Sequence, residues 1–175
     1  MRDRNARPRL FPLILAAVAL VSCMFFYLSY RLDNKYTMPR PYASMGVTQL
    51  NMDWYDSHPF FYIVDGWSFY RDKLLTPEEV EEETPDEYLY LGQYGGFDLG
   101  EPSAEPHGYG TYRMVVLLDG AQRTYALELT RIYSRWKLWV NGELMQNVGF
   151  EEPNAPAPDS RMVTFSAADR IEIVV

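Results

Sequence analysis

The stretch that decides the fold is residues 108–142, which read GYGTYRMVVLLDGAQRTYALELTRIYSRWKLWVNG. It contains two turn dipeptides, Asp119-Gly120 and Asn141-Gly142, and each is flanked by residues that favour β-strands. Asp-Gly and Asn-Gly accept positive φ at both central positions of a type I′ turn more readily than other dipeptides. The stretch therefore predicts two β-hairpins in an antiparallel sheet.

The residues around these turns alternate in hydrophobicity with a period of two, which is typical of strands with one buried face. The alternation is clearest in residues 125–130 and 136–140. Residues 112–118 are apolar on both faces apart from Arg113, which predicts a central strand covered on both sides. Further strands are predicted at residues 60–64, 67–70, 88–91, 143–148, 162–165 and 171–175, with a third hairpin turn at residues 65–66.

One short helix is predicted to begin after Thr76. Thr76 is a favoured N-cap, Pro77 suits the first helical position, and Glu79 completes a capping box. The helix should end before Pro85. The acidic residues within 78–87 lack the spacing and the glycine turn of a calcium loop, so we interpret them as a solvated helix face.

Four short motifs occur in order along the chain: DGWSFY at 65–70, LLTPEE at 74–79, GYGTYR at 108–113 and WKLWVNGE at 136–143. Together they resemble the galactose-binding-like jelly-roll ectodomains of bacterial seven-transmembrane signalling receptors and sensor histidine kinases. The resemblance implies a jelly-roll β-sandwich outside the cell, with any kinase or cyclase output elsewhere in a full-length protein. A fainter similarity is to the sugar-binding domain of the β-galactosidase class of glycoside hydrolases.

The N-terminal region predicts a membrane anchor. Residues 10–28 carry no charge and are almost wholly apolar, enough for a helix at the short end of what crosses a bilayer. Tyr27 and Tyr30 lie where an interfacial aromatic belt would be. Four arginines within residues 1–9 favour a cytoplasmic N-terminus, which places the rest of the chain outside the cytoplasm.

Three interpretations of this segment stay open. The first is an uncleaved signal anchor at residues 10–30, and the second is a cleaved secretory signal. The third starts from residues 20–23, LVSC, which resemble a bacterial lipobox whose Cys23 becomes diacylated. Cys23 also fits the membrane helix as a small apolar residue.

The predicted domain order is a cytoplasmic basic segment at 1–9, the anchor at 10–30, a stalk at 31–57 and a β-sandwich sensory domain at 58–175. The stalk is expected because this region has no firm hydrophobic periodicity and is interrupted by Pro39, Pro41 and Gly46. Residues 170–175 alternate and then become wholly apolar, like a buried strand. We therefore expect the sandwich to be incomplete at its C-terminus and prone to association.

Charge and cysteine content exclude some functions. The formal net charge is −8, and the part after the arginine-rich start is more acidic still. Such a domain repels phosphate backbones, so no nucleic-acid partner is expected. Cys23 is the single cysteine of the chain, so no disulfide within the chain is expected.

The sequence offers little for catalysis. His58 and His107 are the two histidines, and no nucleophile elbow, phosphate loop, dinucleotide fingerprint or zinc-protease motif occurs. We interpret His58 as structural. We expect this chain to be no enzyme and to need no cofactor or metal.

Aromatic platforms with a few polar groups are typical of small-molecule sites. The candidate ligand-binding residues are Tyr94, His107, Tyr109, Arg113 and Trp139. Arg113 needs a partner on an apolar strand, which is either a ligand or an internal acid such as Glu128. Trp67 and Trp136 are expected in the core, whereas Trp139 is expected to be the most exposed of the three.

The predicted function is an extracytoplasmic ligand-sensing module of a bacterial membrane signalling protein, which binds a small molecule such as a sugar or carboxylate. One alternative is a carbohydrate-binding accessory module of a glycoside hydrolase. The other is a structural module for dimerisation without a small ligand. The expected partners are the membrane, through residues 10–30, a small molecule, and, in the last case, a second copy.

Overall fold

The computed structural model describes residues 7–32, 40–91, 108–130, 132, 134–150 and 160–175. The helices are α1 (Arg7–Leu32), α2 (Met52–Ser57) and α3 (Pro77–Glu82). The strands are β1 (Ala43–Ser44), β2 (Val47–Gln49), β3 (Trp67–Arg71), β4 (Glu87–Leu89), β5 (Gly110–Leu117), β6 (Arg123–Thr130), β7 (Trp136–Val140), β8 (Glu143–Val148), β9 (Ser160–Ala167) and β10 (Arg170–Val174). The chain forms two compact units, Met1–Arg40 and Pro41–Val175. Strands dominate the second unit, as the sequence predicts.

The first unit contains the apolar helix α1. Its segment Phe11–Arg31 is 21 residues long and contains an 18-residue stretch with a mean hydropathy of 2.4, so it is long and apolar enough to cross a membrane. At 1.5 Å per residue this segment is about 31 Å long, which matches the hydrocarbon thickness of a bilayer. The helix continues unbroken through Cys23, whose side chain is exposed.

The second unit contains an eight-stranded sheet. Six of its strands follow the order β1-β2-β5-β10-β7-β8, while β3 pairs with β5 and β4 pairs with β3. All pairs are antiparallel except β2 with β5. The C-terminal strand β10 thus lies between β5 and β7 and is paired on both sides.

A second sheet consists of β6 and β9, which pair over eight residues from Arg123↔Ala167 to Thr130↔Ser160. One core cluster joins residues of the two sheets with residues of α2 and the segments beside it. Its buried members are Leu50, Met52, Trp67, Met114, Val116, Tyr125, Trp136, Leu138, Val140, Val148, Val163, Ala167, Ile171 and Ile173. Trp67 and Trp136 are therefore core residues, as predicted.

The opposite face of the large sheet, which we call the outer face, is covered by α3. Val80 of α3 packs with the buried Tyr70 and Val174, and the half-buried Trp139 joins them. The start of α3 confirms the capping-box prediction. Thr76 accepts from the backbone of Glu79, the carboxylate of Glu79 accepts from Thr76 N at 2.8 Å, and Pro77 occupies the first turn.

One of the three predicted hairpins forms. Asn141 and Gly142 have φ of 49° and 81°, and they connect β7 to β8 as predicted. Asp119-Gly120 instead leads from β5 in the large sheet to β6 in the small one, so the hairpin predicted there is wrong. Residues 60–64 form no strand, and β3 pairs with β4 and β5, so the hairpin at 65–66 is also wrong.

The predicted stalk boundary at residue 57 needs correction. β1, β2 and α2 all lie within residues 43–57, and Leu50 and Met52 of this segment belong to the core. β1 and β2 are two and three residues long, which is too short to produce a visible alternation of apolar and polar residues. The folded unit therefore begins at Pro41.

Candidate functional site

Three of the five predicted ligand residues lie among the described residues. Tyr109 is exposed just before β5, Arg113 lies in β5 and Trp139 lies in β7. Tyr94 and His107 lie outside the described residues. Val174 of β10 is the strand partner of both Arg113 and Trp139, so these two residues lie on the outer face about 10 Å apart.

Arg113 is held by an internal acid. Its Nε donates to Oε1 of Glu172 at 2.7 Å, and its Nη2 contacts the same oxygen. The Glu172 side chain is only 5% exposed, whereas that of Arg113 is 24% exposed. The expected partner Glu128 lies exposed in the other sheet, so the choice of Glu128 is wrong while the expectation of an internal acid agrees with the structure.

The other carboxylate oxygen and the backbone N–H and carbonyl groups of Glu172 also have polar partners. Nη2 of Arg170 lies 3.5 Å from Glu172 Oε2, and Arg170 also reaches Glu81 of α3 at 3.9 Å. The backbone N–H of Glu172 donates to Asn141 Oδ1 at 2.7 Å, and Asn141 N donates to the Glu172 carbonyl at 2.9 Å. Glu172 therefore links β10 to β5 and to the β7–β8 turn, while the contact with α3 is made by Arg170.

Tyr70 lies beside this ion pair on β3. It is 1% exposed, and its phenol lies close enough to Arg113 for the guanidinium charge to affect its pKa. Burial raises the pKa of Tyr70 above its ordinary value, and the charge of Arg113 opposes that rise. The observed polar contacts of Arg113 are with the buried Glu172 carboxylate, which makes them structural.

A second group of residues on the outer face combines cations with aromatic rings. We call it the β7 platform, and it consists of Arg135, Lys137, Trp139 and Phe150. Lys137 Nζ lies 5.9 Å from the ring centroid of Trp139 and 5.2 Å from that of Phe150. The Arg135 guanidinium carbon lies 5.8 Å from the Phe150 centroid. These are cation–π distances, so the rings hold both cations in place.

The sequence contained a signal for part of this platform. Lys137 and Trp139 alternate with the buried residues Trp136, Leu138 and Val140 and must therefore share the other face of the strand. Phe150 follows β8 and reaches Lys137 because the Asn141-Gly142 turn brings β8 back beside β7. No local sequence pattern around Phe150 predicts that contact.

A cluster of aromatic residues surrounds α2. The His58 ring stacks on Trp54 at 4.6 Å with an interplanar angle of 7°, and its Nδ1 lies 3.1 Å from the Trp54 carbonyl oxygen. Phe61 packs edge-on against both Trp54 and Tyr55. These contacts at the end of α2 give His58 a structural role, in line with its interpretation from the sequence.

Three buried polar atoms have no hydrogen-bond partner within the described part of the chain: Tyr125 Oη, Trp136 Nε1 and Gln146 Oε1. Trp136 and Gln146 lie on adjacent strands and face the core, since Trp136 pairs with Val148 and Leu138 pairs with Gln146. Each buried group of this kind costs about 1–3 kcal/mol of stability when it stays unpaired.

Within the described ranges, no group of three or more histidine, cysteine, aspartate or glutamate residues is arranged to hold a metal ion. Comparison of the chain with protein-family models, with curated proteins and with solved structures finds no match. The resemblance to galactose-binding-like sensor domains therefore stays a prediction.

Proposed function

We propose that this protein is an extracytoplasmic ligand-sensing module of a bacterial membrane signalling protein. The observation that carries the proposal is the division of the chain into an exposed apolar helix, α1, and a separate acidic β-rich unit. The apolar side chains of this helix are exposed throughout the 21-residue segment. In this proposal they lie in the hydrocarbon core of a bilayer. The β-rich unit then acts at the membrane surface.

The orientation follows from charge. Four arginines precede the apolar segment within residues 1–9, with Asp3 as the one acid among them. Positive residues near a membrane segment are retained on the cytoplasmic side. The β-rich unit, Pro41–Val175, therefore lies outside the cytoplasm in this proposal.

The proposed architecture of that unit is a jelly-roll sandwich of the galactose-binding-like type. Two features support it. The two sheets contribute to a single core, and the chain passes from the large sheet to the small one after β5 and after β8 and returns after β6 and after β9. Sandwiches of two antiparallel sheets are built in this way.

A pair of reporter fusions at Val175 tests the orientation. Alkaline phosphatase, which folds outside the cytoplasm, should be active, and green fluorescent protein exported through the same pathway should stay dark. A matched variant in which Arg2, Arg4, Arg7 and Arg9 become glutamine should reduce phosphatase activity. A fluorescent fusion with an inactive phosphatase would contradict the proposal.

Ligand binding needs a separate measurement. The full chain in a neutral detergent should show a raised thermal midpoint with at least one member of a panel of sugars, carboxylates and nucleotides, because a ligand that binds the native state stabilises it. The absence of any shift at saturating concentrations would contradict a sensing role and favour the structural alternative.

A further inference from the structure

The β7 platform holds two cations against one aromatic ring. Lys137 Nζ and the Arg135 guanidinium carbon lie 5.2 Å and 5.8 Å from the centroid of the same Phe150 ring. The ring restrains two side chains that would otherwise move freely. Because their flexibility is already reduced, an anion that binds to both cations loses less entropy on binding.

The backbone at Gly149 helps to position Arg135. A Cβ atom at Gly149 would lie 2.5 Å from Arg135 Cγ, and Gly149 has a φ of 79°. The absent side chain lets the aliphatic part of Arg135 lie against the backbone after β8. Arg135 is therefore placed by packing as well as by its contact with Phe150.

Arg135 and Lys137 differ from the other cations whose side chains the structure describes in the β-rich unit, because they have no acidic partner among the described residues. Arg71, Lys73, Arg113, Arg123 and Arg170 each form an ion pair with a glutamate or aspartate. Neither Arg135 nor Lys137 forms one with any carboxylate among the described residues. In a chain with 24 acidic and 16 basic residues, an unpaired pair of cations favours an anionic ligand at this place.

We infer that the β7 platform binds a sugar acid, with the ligand carboxylate between Arg135 and Lys137 and the pyranose ring against Trp139 and Phe150. Guanidinium and ammonium groups form charge-assisted hydrogen bonds with carboxylates. Aromatic side chains supply the apolar surface of small-molecule sites. Phe150 is 41% exposed and Trp139 is half-buried, so both rings are accessible from solvent.

This inference rests on the proposed function and names the ligand class for it. It assigns recognition to Arg135 and Lys137 in place of Arg113, whose guanidinium is bound by Glu172. Of the three predicted site residues that the structure describes, Trp139 is the one that belongs to the platform.

The test measures binding of glucuronate and of glucose to the full chain in a neutral detergent, by isothermal titration calorimetry at matched ionic strength. Glucuronate should bind at least about tenfold more tightly than glucose, because a charge-assisted contact to a carboxylate contributes that much or more. Lys137→Gln and Arg135→Gln should each weaken glucuronate binding about tenfold. Lys73→Gln, which removes an equal charge from an exposed pair with Glu83, should leave it unchanged.

Denaturation midpoints of the three variants should equal that of the parent protein, because each change removes a charge near the surface. Equal affinities for glucuronate and glucose would overturn the inference, as would equal losses in Lys73→Gln and Lys137→Gln. Failure to bind glucuronate would also overturn it. Tighter binding of soluble dihexanoyl-phosphatidylglycerol than of glucuronate would assign the platform to anionic lipid instead.

The two proposals fail separately. A cytoplasmic reporter at Val175 contradicts the extracytoplasmic function, whatever the platform binds. Glucuronate binding that persists in Lys137→Gln and Arg135→Gln contradicts the platform as the site and leaves the sensing function standing.

Discussion

The side chains of Arg113 and Glu172 form an ion pair between the adjacent strands β5 and β10 of the large sheet. Arg113 Nε lies 2.7 Å from Glu172 Oε1, and the Glu172 side chain is 5% exposed. Val174 is the direct strand partner of Arg113, so the pair connects diagonal positions on the outer face. The charge of Glu172 is therefore compensated within the sheet itself.

Replacing Arg113 should destabilise the protein. Arg113→Met leaves the Glu172 carboxylate buried without its main partner, and the loss of one member of a buried pair costs about 3 kcal/mol or more. Urea denaturation followed by tryptophan fluorescence measures the change. Arg170→Met is the control: Arg170 is 53% exposed, so its loss should cost less than about 1 kcal/mol. Similar midpoints for Arg113→Met and the parent protein would contradict the structural role.

The partner of Arg113 shows what the sequence could and could not predict. A guanidinium on an otherwise apolar strand needs a counter-charge, and this argument correctly predicted that an acid could satisfy it. The identity of the acid depends on which strand lies beside β5. That strand is β10, whose Glu172 lies 59 positions after Arg113 in the sequence, and no local pattern specifies such a pairing.

The turns show the same limit. Asn141-Gly142 and Asp119-Gly120 have similar local preferences, but only the first joins neighbouring strands. At Asp119 the strand β5 already has β10 on one side and β2 with β3 on the other, so β6 has no free edge of β5 to pair with. Turn chemistry predicted the change of direction, and long-range pairing determined where the chain went.

The candidate site was predictable to a similar degree. The period of two places Trp139 and Lys137 on one face of β7, which the sequence shows directly. The contacts of Phe150 with Lys137 and Arg135 depend on the return of β8 and on the space left by Gly149. Those contacts could be identified only from the folded structure.

Two buried tyrosines should respond differently to loss of the hydroxyl group. Tyr70→Phe removes a buried hydroxyl beside the Arg113 guanidinium and should cost about 1 kcal/mol, because the guanidinium loses a polar neighbour. Tyr125→Phe removes a buried hydroxyl that has no partner among the described residues, so stability should stay equal or rise. Thermal denaturation of both variants makes the comparison. A loss for Tyr125→Phe as large as that for Tyr70→Phe would show that the Tyr125 hydroxyl is bonded in solution.

Stability should fall in alkaline solution because of three tyrosines. Burial raises the pKa of Tyr70, Tyr112 and Tyr125 above the ordinary value of 10.0. The unfolded chain therefore releases these phenolic protons at lower pH than the folded chain does. The stabilisation is complete below about pH 10 and is lost as pH rises through the higher folded values.

Urea midpoints measured from about pH 8 to about pH 11 should show this decline. Tyr112→Phe is the informative variant, because burial alone raises the pKa of Tyr112. Its midpoint should fall less steeply above pH 10 than that of the parent protein. Parallel pH profiles for the variant and the parent would contradict a raised pKa for Tyr112.

The β7–β8 turn should be sensitive to replacement of Asn141. Asn141 adopts a φ of 49°, which asparagine tolerates better than alanine, and its Oδ1 accepts from Glu172 N at 2.7 Å. Asn141→Ala loses this acceptor and adds backbone strain, and each effect costs about 1 kcal/mol. The variant should therefore lose about 2 kcal/mol in urea denaturation.

Asp119→Ala provides the matched control, because Asp119 also precedes a glycine and its Oδ1 accepts from Ala121 N at 3.1 Å. Asp119 does not have a positive φ, and its side chain is 38% exposed, so this change should cost less than about 1 kcal/mol. Asn141 bonds to a strand buried between two others, whereas Asp119 stabilises an exposed connection between sheets. Equal losses for the two variants would mean that both turns act only through local propensity, and that the bond from Glu172 to Asn141 does not help to hold β10 beside β7.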